Sequence, residues 1–193
     1  WVTAEDATAP TADAGTNATV DEDTQFTLDG SGSTDNVGVT SYEWDYRNDG
    51  TTDATGATPT ANFSTPGTYE IRLTVTDANG FTDSDTLTVT VRDATPPTIS
   101  GYEVTNPFDT SVKVSLRSSE QLEQLNASVT GPETASLTLS DFSRSTLSNG
   151  YRYTTTYDAS ATGDYTVSLD TAADAAGNDG AGSQSGTVGI DTA

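Results

Sequence analysis

A six-residue phrase recurs along the chain and sets its scale. Asp6-Ala7-Thr8-Ala9-Pro10-Thr11 returns as Asp93-Ala94-Thr95-Pro96-Pro97-Thr98, and Asp191-Thr192-Ala193 resembles a truncated third copy. The copies begin 87 and 98 residues apart, each interval the size of one small domain. Each follows a strand-like ending: Trp1 to Ala4, Leu87 to Val91 and Val188 to Ile190. Proline just past a strand fixes φ and removes a donor, which suits a short, stiff linker. The phrase therefore predicts residues 1–6 as the end of a preceding unit and residues 7–93 as a first domain. Residues 94–97 are then a linker, 98–190 a second domain, and 191–193 the start of another linker.

Inside each interval the apolar residues alternate with period two, the signature of strands with one buried face. Gly67-Thr68-Tyr69-Glu70-Ile71-Arg72-Leu73 matches Gly163-Asp164-Tyr165-Thr166-Val167-Ser168-Leu169, and each is followed by a turn and a last strand. A Gly-x-Tyr before a penultimate strand is the pattern of a tyrosine corner. Phe26 and Leu28, then Tyr42 and Trp44, belong on inward faces of the first unit, with Trp44 as its core anchor. In the second, Val112, Val114 and Leu116 alternate with Lys113, Ser115 and Arg117. Tyr151, Tyr153 and Tyr157 form an inward stripe. One helical turn is expected, over residues 120–128. The class is all-β: two immunoglobulin-like β-sandwiches in tandem.

Charge and missing residue types narrow the function. The formal charge is -22, from 29 acidic and 7 basic side chains, with no His, Cys or Met and a single lysine, Lys113. Imidazole bases, thiol nucleophiles and Cys/His metal sites are excluded. Nucleic acids and anionic membrane surfaces are polyanions and make poor partners. No apolar run is long enough to span a bilayer. Leu, Ile, Val and Phe make up about a sixth of the residues, which under such charge resembles a disordered chain. The alternation argues for a fold. Asp far outnumbers Glu, and the lysine-poor, acidic surface resembles proteins of extreme halophiles. In molar salt the Debye length of about 3 Å screens the repulsion.

Four phrases in order carry a family resemblance in the first unit: Phe26-Thr27-Leu28-Asp29-Gly30-Ser31-Gly32-Ser33-Thr34-Asp35, Tyr42-Glu43-Trp44-Asp45, Asp49-Gly50, and Pro66-Gly67-Thr68-Tyr69 through Asp77-Ala78-Asn79-Gly80. They resemble PKD domains over about residues 7–92. The second unit is similar to the Ig-like domains of bacterial and archaeal surface proteins, through Asp174-Ala175-Ala176-Gly177-Asn178 and the closing Ile190-Asp191-Thr192-Ala193. Both resemblances imply extracellular, non-catalytic modules that space, adhere or assemble.

Several residues are candidate sites. Asp45, Asp49 and Asp53 fall at positions 1, 5 and 9 of an EF-hand-like calcium loop, with Gly50 at its turn. Arg47 stands where an oxygen ligand belongs, and many PKD domains have Asp there. The competing reading is a β-turn whose acids are met by Arg47 and water. Asp77 and Asp93 (with Asp6, Asp174 and Asp191) are candidates for a Ca2+ shared at the domain junction, against simple turn capping before Thr-Pro. Three glycosylation sequons, Asn17, Asn62 and Asn126, are about what chance supplies at this Ser/Thr content.

A paired-carboxylate hydrolase needs an acid of raised pKa in an apolar cleft. Glu43 and Asp45 flank Trp44, but alternation makes them outward surface charges. A Ser-Lys dyad would need Lys113, which sits mid-strand. Trp1 and Phe108 are candidate exposed aromatics for stacking on sugar. The expected function is a structural, assembly or adhesion module of a haloarchaeal-type cell-surface protein, layer or filament. Its partners would be neighbouring domains or copies of the same protein, or cell-surface glycans. The alternative is an accessory glycan- or protein-binding module of a secreted hydrolase. The chain is further expected to be one segment of a longer head-to-tail string.

Overall fold

Threonine and β-branched apolar residues favour pleated, half-buried strands, and strands carry nearly all the regular structure of the computed structural model, which describes residues 7–108 and 110–192. The strand expected at Trp1 to Ala4, with Trp1 and Asp6, lies outside the described residues, as does Ala193. The chain divides into two units, the first ending at Ala94 and the second beginning at Thr95.

The first unit contains β1 (Ala18–Asp21), β2 (Phe26–Thr27), β3 (Val39–Asp45), β4 (Ala54–Thr55), β5 (Thr60–Ala61), β6 (Gly67–Asp77) and β7 (Thr82–Arg92). Five of them form one sheet in the order β1-β7-β6-β3-β4, with β1 parallel to β7, and β2 pairs with β5. Trp44, Ile71, Leu73, Val75 and Val89 are fully buried between them and Leu28 is buried too, whereas Phe26 and Tyr42, also expected inward, are half-buried against this core. The Trp44 indole N–H donates to the Gly56 carbonyl at 3.0 Å, so its one polar atom is paired inside the core. Gly30 explains the Asp-Gly-Ser phrase. A Cβ there would lie 2.8 Å from Leu73 Cδ2 and 3.0 Å from Trp44 Cζ2, so a larger residue would push on the core.

The second unit is a pair of four-stranded sheets. It contains β8 (Ile99–Thr105), β9 (Ser111–Ser118), β10 (Gln124–Thr130), β11 (Ala135–Thr138), β12 (Ser143–Leu147), β13 (Gly150–Asp158), β14 (Gly163–Ala173) and β15 (Ser185–Ile190). The sheets run β11-β10-β14-β15 and β12-β13-β9-β8. Between them Val112, Val114, Leu116, Tyr153, Tyr165 and Val167 are buried, with Tyr151 and Tyr157 packed at the margin.

Residues 120–128 are not helical. Leu122, Leu125 and Val129 fall at helical spacing, yet residues 124–130 form β10, in which Leu125, Ala127 and Val129 alternate inward with period two; the register shift opposite Asn126 and Ala127 leaves Asp170 of β14 as the extra residue. Leu122 sits ahead of the strand, its N–H held by the Tyr153 hydroxyl at 2.8 Å. Among the described residues the one helical turn is a 3-10 turn at Leu139–Asp141. No described helix is long and apolar enough to cross a membrane.

Candidate functional site

The acidic loops are where sequence placed chemistry, and the structure gives most of these acids backbone partners. At the end of β3 the chain turns back on itself. Asp45, expected on the surface by strict alternation, is buried there. Its Oδ1 accepts the N–H groups of Arg47 (3.2 Å) and Asp49 (3.1 Å), and its Oδ2 accepts that of Gly50 (2.6 Å). Gly50 has φ +90°, a left-handed conformation that suits glycine and aims its N–H inward. Burial pushes the Asp45 carboxyl up, but the ring of N–H groups outweighs it and holds the group below the usual carboxylate range.

The rest of the loop follows this plan. Asp49 Oδ1 accepts from Thr51 N at 2.9 Å, and Asp53 Oδ2 from Tyr46 N at 2.7 Å. Asp45, Asp49 and Asp53 do not converge within 4.8 Å of one another. In this loop, amide N–H groups stand where an EF-hand presents a cation to its acids.

The turns after the penultimate strands repeat the device. Asp77 is buried, and its Oδ1 accepts from Asn79 N (2.8 Å) and Phe81 N (2.9 Å). Asp174 is buried likewise, accepting from Asn178 N and from Asn178 Nδ2, both at 2.9 Å. Burial raises the Asp174 carboxyl less than the Asn178 side chain and the turn amides lower it, so it too sits below the usual range. The junction pairing of Asp77 with Asp93 is not what the fold builds. Antiparallel β6 and β7 put Asp77 at the turn of the hairpin and Asp93 just past its open end, roughly 30 Å away at the rise of ten residues. The Asp77 Oδ2 is buried with no hydrogen-bond partner, and so is Asp35 Oδ1 in the turn entering β3. Asp77 pairs with Val39 at the start of β3, so both oxygens lie at the same end of the unit.

Other acids also act as acceptors. Asp83 and Asp85 on β7 accept from Ala12 N and Ala14 N, each at 2.9 Å, stitching the segment before β1 to the sheet edge. Glu133 accepts from the Ser160 hydroxyl and amide and lies 3.0 Å from the Tyr165 hydroxyl. The Ser160 hydroxyl is the main reason its carboxyl is lowered. Asp29 is held down by Ser31 and Asp141 by Thr138. Five carboxyls are thus displaced downward, the opposite of what a general acid needs. Of the tyrosines, Tyr102 is pushed up to about 12 by burial, with the Asp170 charge adding.

The sequons fall on structured positions. Asn17 Oδ1 accepts from Thr88 N at 2.8 Å, Asn62 Nδ2 donates to the Asp23 carbonyl at 3.1 Å, and Asn126 is half-buried on β10, opposite the β14 bulge. Phe108 is 77% exposed, and Val37 and Phe81 are also exposed. Alternation missed one feature: Arg117 and Arg152 are direct cross-strand partners. Only the long-range register of β9 and β13 brings them together.

Residues 7–91 match the family model of the PKD domain. The chain is 39% identical over 116 residues to Collagenase ColA of Bacillus cereus, covering 59% of this chain and 12% of that protein. It is 40% identical over 76 residues to the Dyslexia-associated protein KIAA0319 homolog of Mus musculus, covering 37% of this chain and 7% of that one. The chain thus spans a small fraction of the curated relatives it matches. Among solved structures, the PKD domain from KIAA 1837 protein is 27% identical with a TM-score of 0.37, covering 51% of this chain and all of that one.

Proposed function

Starting from a PKD domain over residues 7–91, we propose that the chain is a non-catalytic extracellular module: a structural, assembly or adhesion segment of a haloarchaeal-type cell-surface protein, layer or filament. The observation that carries this reading is that the turns and corners of the fold itself occupy its carboxyl oxygens. Asp29, Asp45, Glu133, Asp141 and Asp174 are all lowered by hydrogen bonds within turns and corners, so these acids build the fold instead of awaiting a substrate. The net charge of -22 supports a saline setting. The second unit serves as an Ig-like surface domain, and neighbouring domains or copies are the partners. A Ca2+ ion belongs to this reading at the Asp77 end of the first unit, where a buried carboxylate oxygen has no hydrogen-bond partner. Calcium should then raise the melting temperature of the native chain and not that of Asp77→Asn.

The second reading, an accessory module of a secreted hydrolase, draws on the 116-residue alignment with part of a collagenase. Deleting residues 7–192 in the native host separates the two. The first reading expects surface assembly or adhesion to fail while secreted hydrolytic activity is unchanged. Loss of hydrolysis with intact assembly favours the second. Turnover of gelatin, casein or nitrophenyl glycosides by the purified chain would overturn both.

A further inference from the structure

The second unit has four basic residues, Lys113, Arg117, Arg144 and Arg152, and all four lie on the sheet formed by β8, β9, β12 and β13. Three share its outward face. Arg117 and Arg152 are direct cross-strand partners, and Lys113 lies four residues along β9 from Arg117, about 13 Å away. Like charges directly opposite on a sheet are destabilising. This chain has 29 acids that might have been placed between them. None of the three cations makes a hydrogen bond or ion pair among the described residues. Of the other cations, Arg92 pairs with Asp21 at 2.9 Å, Arg72 donates to the Ser84 hydroxyl at 3.3 Å and Arg144 lies over the Tyr151 ring at 5.6 Å.

The three cations line a groove of about 410 Å³ with Ser100, Ser115 and Thr154, and Glu103 is the one acid on its wall. A second hollow of about 200 Å³ continues it past Arg117 toward Ser119 and Asn149. The lining narrows the ligand class. No aromatic ring lines the groove, so neutral sugars or bases have no platform on which to stack. The exposed large apolar side chains among the described residues are Val37, Phe81 and Phe108, none of them in this groove, so it lacks the apolar centre of a protein interface. What remains is paired guanidinium groups, an ammonium and hydroxyls, a local cationic strip on a chain whose net charge of -22 repels polyanions elsewhere, and the set that recognises repeated carboxylates carried on a hydroxyl-rich polymer.

We infer that the outward face of β8, β9 and β13 binds an acidic polysaccharide through the carboxylates of its uronic acid units. Arg117 and Arg152 jointly grip one carboxylate and Lys113 meets another further along the polymer. The inference deepens the adhesion reading and rests on it for where such a polymer is met. Binding is measured on the purified chain, so its failure leaves the assembly experiment untouched.

The probe is a short oligogalacturonate, titrated calorimetrically into the full chain in salt that preserves its β spectrum. The expected result is saturable binding that weakens as salt rises. Full methyl esterification of the oligomer should abolish it. A Lys113→Thr, Arg117→Thr, Arg152→Thr variant should bind at least tenfold more weakly, and Arg117→Lys, Arg152→Lys only a few-fold. Because the two arginines repel, the triple variant should melt no lower than the native chain, which a merely structural role would not allow. Amide shifts in the native chain should centre on β8, β9 and β13, a readout that stands even if the triple variant fails to fold. Equal binding of the ester, shifts centred elsewhere, or native-like binding by a folded triple variant would each overturn the inference. So would tighter binding of a single-stranded DNA of equal charge, or no oligogalacturonate binding alongside self-association that the triple variant abolishes.

Discussion

In the first unit the Tyr69 hydroxyl donates to the carbonyl of Thr65, four residues upstream, at 2.8 Å. In the second, Tyr165 makes the same contact with Ala161 at 3.0 Å. Both tyrosines sit near the start of an eleven-residue strand that ends near a buried aspartate, Asp77 or Asp174. Around this shared frame the units use charge differently. The first carries 17 acids and 3 bases, a charge of -14; the second carries 12 and 4, a charge of -8. In the first, Asp45, Asp77, Asp83 and Asp85 serve as acceptors for main-chain N–H groups, including those that tie the segment before β1 to the sheet. In the second, three cations are left without protein partners on one face. One architecture thus supports a carboxylate-stitched scaffold and a unit with an anion-facing sheet.

The largest effect should come from the first core. Trp44→Ala removes a fully buried indole and strands the Gly56 carbonyl, at a cost of about 3–5 kcal/mol. Chemical denaturation should register that loss. Hydrogen exchange should show the amides of β3 and β6 opening first.

Asp45→Ala should come next. It leaves the N–H groups of Arg47, Asp49 and Gly50 without their acceptor, costing about 3 kcal/mol, while Asp45→Asn keeps one carbonyl oxygen and should cost about half as much. A variant as stable as the native chain would show that the loop needs no carboxylate. The lowered carboxyls also set an acid limit. Because Asp45 and Asp174 titrate lower in the fold than in the unfolded chain, their stabilisation is complete above about pH 4 and is lost as pH falls through their folded values. Melting temperatures measured from neutral pH downward should fall there, and Asp45→Asn should flatten the decline.

These contrasts mark what the chain shows without its fold. The inward sets of β7, β9 and β13 were legible, because one residue in two faces the core over a long strand. Trp44 was legible for the same reason, and both corner tyrosines through the Gly-x-Tyr phrase that opens each penultimate strand. The burial of Asp45 was not, since alternation holds only while the strand continues and the chain turns inward there. Residues 120–128 misled because an interval of four, Leu125 to Val129, fits a strand as well as a helix, and Leu122, three residues earlier, is buried ahead of the strand and not within it. The Arg117–Arg152 pair was hidden because its two members are 35 positions apart in sequence and meet only through strand register.

A smaller effect compares the two corners. Tyr69→Phe should cost about 1 kcal/mol, the net worth of one hydrogen bond. Tyr165→Phe should lower the melting temperature further, since its hydroxyl also lies 3.0 Å from Glu133. Equal shifts would mean that Glu133 contributes nothing through Tyr165.

The division of charge between the units is tested most directly by hydrogen exchange resolved along the chain while salt is lowered from molar to about 0.1 M, where the Debye length grows from about 3 Å to about 10 Å. With -14 against -8, the amides of β1, β6 and β7 should lose protection at higher salt than those of β9, β13 and β14. Simultaneous loss in both units, or protection that salt leaves unchanged, would contradict the account.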